Sequence, residues 1–530
     1  MPVLLVTSTA TATIGGRRWC AAATPALADP ARRLPGMAAA LDAAFERAAP
    51  VWLDLARTLG QSGDARLAHA PSAAGTISDL GLMLAWTLVV GDLAAGSEDV
   101  AVVCDDPWLF RHLAALPGVR AEGEPPPLHR REYLLALRGL ASRLRVGLRM
   151  AMAAIALRRQ RRLTRPGTPV LLVYGHPASR TDGFDAYFGP LMQNIPSLGR
   201  MLHVDCLPER ARALEDGGRT LSLHGFGSPL YALTRLWSAR WRPRCHGPHS
   251  WLLRRAAALE SGGGQAAMIR WQIHCQRRWL DAAKPAVVAW PWENHGWERD
   301  FAAACRRRGI ATIGCQHATI GRHELNHAAH SLNDPALELP DRISAVGPAA
   351  ARRLAEWGIP ASHLVIGGVW RFAPAAPLPF DPAGPVFLAL PAQTDIARQM
   401  IAAGRRLGAA DHRVLVREHP MTPVGFKPEP GMEAASGSLP QVGAVRAVVF
   451  AATTVGLEAL LAGLPVVRFL PEGILANDIL PDRPPVPAAD AEGLAEAVVM
   501  ARPVAGLAES DVFIPAGTAA WRQWLTGGTP

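Results

Sequence analysis

AVVFAATTVGLEALLAGLPVVRF, residues 447 to 469, reads as a buried strand, a polar turn, a short helix and a second buried strand. The run Ala447 to Phe450 is short, apolar and β-branched, as a parallel strand covered on both faces must be. From Leu457 to Leu461 the apolar residues shift to helical spacing, and Gly463 and Pro465 stop the helix. Thr453 and Thr454 therefore fall at a helix N-terminus outside the carboxyl end of a strand. Unpaired backbone N–H groups and the positive end of the helix dipole favour an anion there. A threonine in that place also serves as a plain N-cap, and the two roles can coexist.

The preceding strand, His412 to Val416, is followed by Arg417, Glu418, His419 and Pro420. A period of two puts Arg417 and His419 on one side of the chain at the strand's carboxyl end, and Pro420, with no N–H to donate, ends the strand. A cation and an imidazole donor there could meet an anion held by the Thr453/Thr454 turn. A second His-Pro pair, His176-Pro177, follows the apolar strand Val170 to Tyr174. Either histidine could equally be a local hydrogen-bond partner.

These features resemble the C-terminal half of GT-B glycosyltransferases, particularly bacterial surface-polysaccharide enzymes. Sialyltransferases, polysialyltransferases, Kdo transferases and related glycerophosphotransferases carry an HP motif and a Ser/Thr pair before a helix. Here His419-Pro420 would be that motif, with Arg417 where relatives often have lysine, and Thr453-Thr454 would replace Ser-Ser. Glu458, one turn into the helix, looks like the acidic residue that contacts a nucleotide ribose in many such enzymes. The resemblance implies two Rossmann-like domains facing a cleft. The donor nucleotide would lie on the C-terminal domain and the acceptor on the other.

Upstream, WPWENHGWERDFAAACRRRGIATIGCQH, residues 290 to 317, resembles the E-N-x-x-W-E stretch of a group of surface carbohydrate biosynthesis proteins through Glu293, Asn294, Trp297 and Glu298. Its own pattern predicts a strand from Ala286 to Trp290, a helix from about Trp297 to Arg308, and a strand from Ala311 to Gly314. Glu293 and His317 would then emerge at carboxyl ends of neighbouring parallel strands, where open α/β sheets bind ligands. Glu293 also fits a salt-bridge or capping role at the helix start. In TDGFDAYFGPLM, Asp182 and Asp185 occupy the first loop of the acceptor-side domain and are candidates for a general base. Thr181-Asp182-Gly183 resembles the acidic-Gly element of bacterial sialyltransferases with threonine in place of the leading acid. A turn-forming aspartate beside Gly183 is the alternative.

Length and composition set the frame. A chain of 530 residues holds several domains with ample cores, and 49% hydrophobic with 19% charged residues is a globular mixture. The formal charge is +10, yet lysine occurs only at 284 and 427, and no basic run is interleaved with aromatics, so the charge does not argue for nucleic acid. Seven cysteines without a C-x-x-C pair fit a reducing compartment. No segment reaches the ~18 apolar residues of a membrane span. The start MPVLLVTST lacks a basic n-region and reads as a strand rather than a signal peptide.

The expected organisation is an N-terminal α/β region over 1–127 and a basic amphipathic helical segment over 128–166. An acceptor-side Rossmann-like domain over 167–371, a Pro-rich linker over 372–385 and a nucleotide-sugar-binding domain over 386–530 follow. Residues 1–127 offer no defensible site. A helix from Arg131 to Leu163 places Leu134, Leu137, Leu144, Leu148, Met152 and Ile155 on one face, flanked by Arg138, Arg145 and Arg149. That face reads either as packed core or as a membrane-surface helix. The expected location is cytoplasmic, on the inner membrane face if the helix lies on lipid.

His323-Glu324-Leu325-Asn326-His327 fits H-E-x-x-H, in which two histidines on one helical face bind zinc. Gly321 and the Asn333 to Pro335 break leave little helix to carry it. The reading that joins the motifs is an inverting, metal-independent glycosyltransferase using a nucleotide-sugar and a surface polysaccharide or glycolipid acceptor; the resemblance of the HP motif leans toward a CMP-linked donor, with UDP-, GDP- and CDP-linked donors open. Asp182 would be the base and Glu293 would orient the acceptor or the cleft wall, with the two roles exchanged as the alternative; His419, Arg417, Thr453 and Thr454 would hold the phosphate, and Glu458 the ribose. No cofactor or metal is called for. The alternatives are a CDP-polyol phosphotransferase of the same fold, a catalytically silent assembly scaffold, and a zinc hydrolase using His323 and His327.

Overall fold

The computed structural model describes residues 3–24, 32–370, 376–481, 485–504 and 507–526. Three parallel sheets organise them. The first has strands β1 (Val3–Val6), β2 (Arg18–Ala21), β3 (Val100–Val103) and β4 (Val119–Ala121) in the order β2-β3-β1-β4. The second has β5 (Val170–Val173), β6 (Gly199–Leu202), β7 (Thr220–Ser222), β8 (Val287–Pro291), β9 (Ala311–Cys315), β10 (Arg342–Ala345) and β11 (Leu364–Ile366). Its order is β11-β10-β9-β8-β5-β6-β7. The third has β12 (Val386–Ala389), β13 (Val414–Arg417), β14 (Met432–Ala434), β15 (Ala447–Phe450), β16 (Val466–Phe469) and β17 (Ala488–Ala489), ordered β14-β13-β12-β15-β16-β17.

The second and third sheets are doubly wound. In each, the order reverses beside the first strand, between β5 and β8 and between β12 and β15, which is where such sheets open a ligand crevice. The expected class, α/β with two Rossmann-like domains and a further N-terminal α/β region, is the one observed. Strands such as VFLA of β12, AVVF of β15 and VVAWP of β8 are buried along their whole length because helices cover both faces.

Two stretches run differently from the sequence reading. Of the expected linker over 372–385, residues 372–375 lie outside the described residues. The remainder is seated on the third domain, where Leu378 N–H donates to Ala462 O and Phe380 bridges Val445. Beyond residue 507 the chain returns to the second domain. Val369 bridges Pro515, and Trp521, fully buried, stacks edge-on with Phe188 and donates Nε1–H to Gly367 O. The last part of the 386–530 stretch therefore belongs by contact to the middle domain.

The carboxyl edges of the two Rossmann sheets meet. The loop after β9 reaches the loop after β16, and Gly321 approaches so closely that a Cβ would overlap the Asp478 carbonyl. A cavity of about 550 Å³ lies at this seam, with Thr319, Ile320 and Arg353 on one side and Ile479 and Pro481 on the other.

Candidate functional site

On the third domain, helix Val455–Leu461 begins directly after Thr453 and Thr454. The plain capping reading is not realised, since Thr454 makes no side-chain cap bond and its hydroxyl donates to Glu458 Oε1 at 3.2 Å. Ala452, in the same turn, has φ +47°, a left-handed conformation costly for a residue with a Cβ. Gly456 lets the helix drop onto the strand end, because a Cβ there would stand 2.3 Å from the Phe450 ring. Glu458 is exposed.

His419 is ordered by its own loop. Glu418 Oε1 accepts the N–H groups of Val424, Gly425 and Phe426 at 2.7, 2.8 and 3.1 Å, which folds the segment back after the strand. His419 Nδ1 accepts from Met421 N–H at 3.3 Å, so the ring proton resides on Nε2. Burial pushes its pKa below the ordinary value. The result is a neutral imidazole that donates from Nε2. Arg417, at the end of β13, is exposed. His176 repeats the geometry on the second domain, accepting Ala178 N–H at 3.1 Å.

The second domain concentrates its chemistry at the carboxyl ends of β6, β5, β8 and β9, four neighbours in the sheet. These contribute His203, then Tyr174 and His176, then Glu293, then His317. Tyr187 bridges the row, with ring centroids 5.9 Å from Tyr174 and from His176 and 5.1 Å from His317. Glu293 is held by the backbone on both sides. Its N–H donates to the buried Glu298 carboxylate at 3.0 Å, its carbonyl accepts from Asn326 Nδ2, and the next residue, Asn294, has φ +56°. Glu298 also accepts from His295 N–H at 2.7 Å and Trp290 Nε1–H at 2.9 Å.

The Glu293 side chain stays 40% exposed in a cavity of about 120 Å³, with His295 Nε2 at 2.9 Å from one oxygen and His317 Nε2 at 3.8 Å from the other. Burial would raise its pKa, but the hydrogen bond and charge of His295, with the neighbouring His317 and His327 rings, lower it to about 2. Burial opposes charge on His295, and Glu293 overcomes that to raise its pKa. The carboxylate and His295 therefore form an ion pair. His327, on the same cavity, is lowered by burial to about 4 and is neutral.

The two first-loop aspartates have other tasks. Asp182 accepts Phe184 N–H at 2.9 Å and pairs with Arg180 at 3.1 Å, which makes it an Asx-turn residue on the surface. Asp185 is fully buried, where it accepts from Ser179 at 3.1 Å and Tyr187 N–H at 2.9 Å and faces Arg200 at 3.7 Å. It is removed from any acceptor, which corrects its candidacy as base. The H-E-x-x-H reading is corrected too. His323 accepts Asp478 N–H at 3.2 Å and lies 3.9 Å from both Asp42 and Glu46, whereas His327 packs edge-on to Trp292 beside Glu293. The segment carries a 3-10 turn, Leu325–His327, and the two imidazoles part to different sites.

The N-terminal region supplies more than expected. Thr76 and Ile77 line the Glu293 cavity, and His69 packs edge-on to His295 at 5.4 Å. His295 is the residue missed most plainly, although its place two after Glu293 on a strand-end segment was a signal. Asp42 and Glu46 were also missed. Like charges at i,i+4 on a helix repel, which points to a cation from elsewhere.

No protein-family model matches the chain, and no curated protein matches it. Among solved structures, the glycotransferase of kitacinnamycin is similar at 12% identity over 63% of this chain and 90% of that one, with a TM-score of 0.36. The UDP-GlcNAc 2-epimerase of Methanocaldococcus jannaschii, in complex with UDP-GlcNAc and UDP, is similar at 12% identity over 64% and 97%, with a TM-score of 0.37. The lipopolysaccharide outer core galactosyltransferase WaaB is similar at 12% identity over 57% and 80%, with a TM-score of 0.28.

Proposed function

We propose that the protein is an inverting glycosyltransferase of the GT-B type that moves a sugar from a nucleotide-sugar to a surface polysaccharide or glycolipid. The observation that carries the reading is Glu293, held through its backbone at the switch point of one Rossmann sheet while its carboxylate faces imidazoles in a cavity. That cavity shares Thr319 and Ile320 with the seam between the domains. In this reading His419, Arg417 and the Thr453/Thr454 helix end, which follow the carboxyl ends of β13 and β15, would face it from the third domain. The second domain would then offer proton acceptors and the third domain cations and N–H donors.

In this reaction an acceptor hydroxyl attacks the anomeric carbon, the bond to the nucleotide phosphate breaks, and the hydroxyl proton passes to the Glu293–His317 pair. A carboxylate lowered to about 2 is a weak base alone, so its part is to orient and stabilise the imidazolium that forms. His419 Nε2–H, Arg417 and the helix N–H groups neutralise the departing phosphate. This reading assigns Glu293 the base-side role for which Asp182 was the first candidate, because Asp182 spends its carboxylate on its own turn. A CMP-linked sugar is the donor that the HP pattern favours.

The test is a thermal-shift screen with CMP, CDP, UDP and GDP, followed by product analysis. A nucleotide that binds the native state raises the melting temperature, and His419→Ala should cut turnover by about a hundredfold without loss of fold. A protein stabilised by none of the four nucleotides would not be a nucleotide-sugar transferase. Transfer of a phosphate along with the organic group would mark a CDP-polyol phosphotransferase, and turnover of a nucleotide-sugar with neither acceptor nor nucleotide release would mark an epimerase.

A further inference from the structure

Helix Leu128–Leu157 packs one face against the second domain and leaves a row of large apolar residues on the opposite face. Its buried side carries Gly139, Gly147, Ala153, Ala154 and Arg143. A Cβ at Gly139 would sit 2.0 Å from Ser261 O and one at Gly147 would sit 2.9 Å from Ala232 O, so the helix is pressed against the domain along a strip of small residues. Arg143 ties that side down through Trp237 O at 2.9 Å and Ser261 O at 2.7 Å. Leu128, Leu135, Met150 and Leu157 are buried on that side, but a second set of large apolar residues points the other way. Leu134, Leu137, Leu144, Leu148, Met152 and Ile155 are each 48–56% exposed and form one stripe. The packed-core reading of that face is therefore corrected.

The stripe continues onto helix Pro229–Arg235, which packs beside it and exposes Leu230 at 71% and Leu233 at 52%, with Trp237 at 50% just beyond. A contiguous apolar surface of this kind marks an interaction site. Its charge states the partner. Arg138, Arg145 and Arg149 are exposed along one border of the stripe, and Arg130, Arg158 and Arg159 are exposed near its ends. Across 128–168 the one acidic residue is Glu132, and it is paired with Arg254 at 2.5 Å.

We propose that this face docks in the interface of a bilayer carrying anionic headgroups. The helix would lie flat over about 45 Å, its leucines in the acyl boundary and its arginines at the phosphates. Among the described residues no helix is long and apolar enough to cross a membrane, so docking is in the plane. The inference stands apart from the glycosyltransferase reading, because it rests on a surface that shares no residue with the candidate site.

Co-sedimentation of the full chain with vesicles of phosphatidylcholine, with and without phosphatidylglycerol, tests it. Binding should appear with the anionic vesicles and weaken as salt rises. The double variant Leu144→Glu/Leu148→Glu and the triple variant Arg138→Gln/Arg145→Gln/Arg149→Gln should each lower the bound fraction about tenfold. Both sets of side chains are exposed, so their melting temperatures should match the parent protein. The proposal is overturned if anionic vesicles capture no protein at low salt or if neither variant changes capture. It is overturned equally by a stable dimer in solution that Leu144→Glu/Leu148→Glu splits, since the occupant would then be a second copy of the chain.

Discussion

Glu293 has its freedom removed everywhere except at its carboxylate. The Glu298 carboxylate fixes its N–H, Asn326 fixes its carbonyl, and a left-handed Asn294 turns the chain away. Strain of ~1–3 kcal/mol at such a residue persists only where the surroundings over-determine it. Glu293→Gln retains the shape, so it should lower turnover by about a hundredfold or more while nucleotide-induced stabilisation is unchanged, as expected of a group acting in the chemical step. The pair also sets a pH window. Glu293, lowered from 4.5 to about 2, contributes stability present above 4.5 and lost as pH falls toward 2. His295, raised from 6.5, contributes stability present below 6.5 and lost as pH rises through its folded value. The melting-temperature gap between the protein and Glu293→Gln should therefore be widest between pH 4.5 and 6.5. Glu324, on the same cavity, behaves oppositely. Burial raises it from 4.5 to about 8 with one hydrogen bond, from Gly321 N–H, holding it down. Its stability contribution is lost as pH rises between those values, so Glu324→Gln should flatten the decline in melting temperature seen from pH 5 to 8.

At the scale of elements, the turn from β15 into helix Val455–Leu461 depends on Gly456 lying against the Phe450 ring. Gly456→Ala should cost about 1–3 kcal/mol by overpacking and should weaken nucleotide binding, because the helix start moves with it. Adding Phe450→Leu should recover most of both, measured by melting and by calorimetric titration of the nucleotide. This turn was legible in the sequence because everything that shapes it is local. The β-branched run, the switch to helical spacing and the Gly463 stop all lie within a few residues. The same holds for β8, the loop of Glu293 and β9. What was not legible depends on long-range contacts. Nothing near Asp185 tells that Arg200 will bury it, and nothing near His323 tells that it will leave His327 for Asp42 and Glu46. The period of helix Leu128–Leu157 located the apolar stripe correctly. Which side is buried was decided by Ser261 and Ala232, more than eighty residues away.

At the scale of the whole molecule, all three sheets' domains contribute charge to one junction. Asp42, from helix Met37–Gly60, takes Arg468 of β16 in a two-point pair at 2.7 and 3.0 Å and Arg322 of the second domain at 3.0 Å. Asp478 of the third domain pairs with Arg322 at 3.0 Å, and Glu46 pairs with Arg322 as well. Arg468 is 2% exposed, so its charge depends on these partners. The junction therefore fixes the edge of the seam that the candidate site opens onto. Removing one member strands the rest. Asp42→Ala should destabilise the assembly by about 3 kcal/mol, because the buried guanidinium of Arg468 is left with Asp478 at 3.7 Å as its main counter-charge. Replacing both, Asp42→Ala with Arg468→Met, should restore much of that loss, since a buried ion pair and a well-packed apolar pair are often of similar stability. Melting temperature and limited proteolysis of the N-terminal region report the two effects, and equal damage from the single and double variants would show that the junction is shape rather than charge.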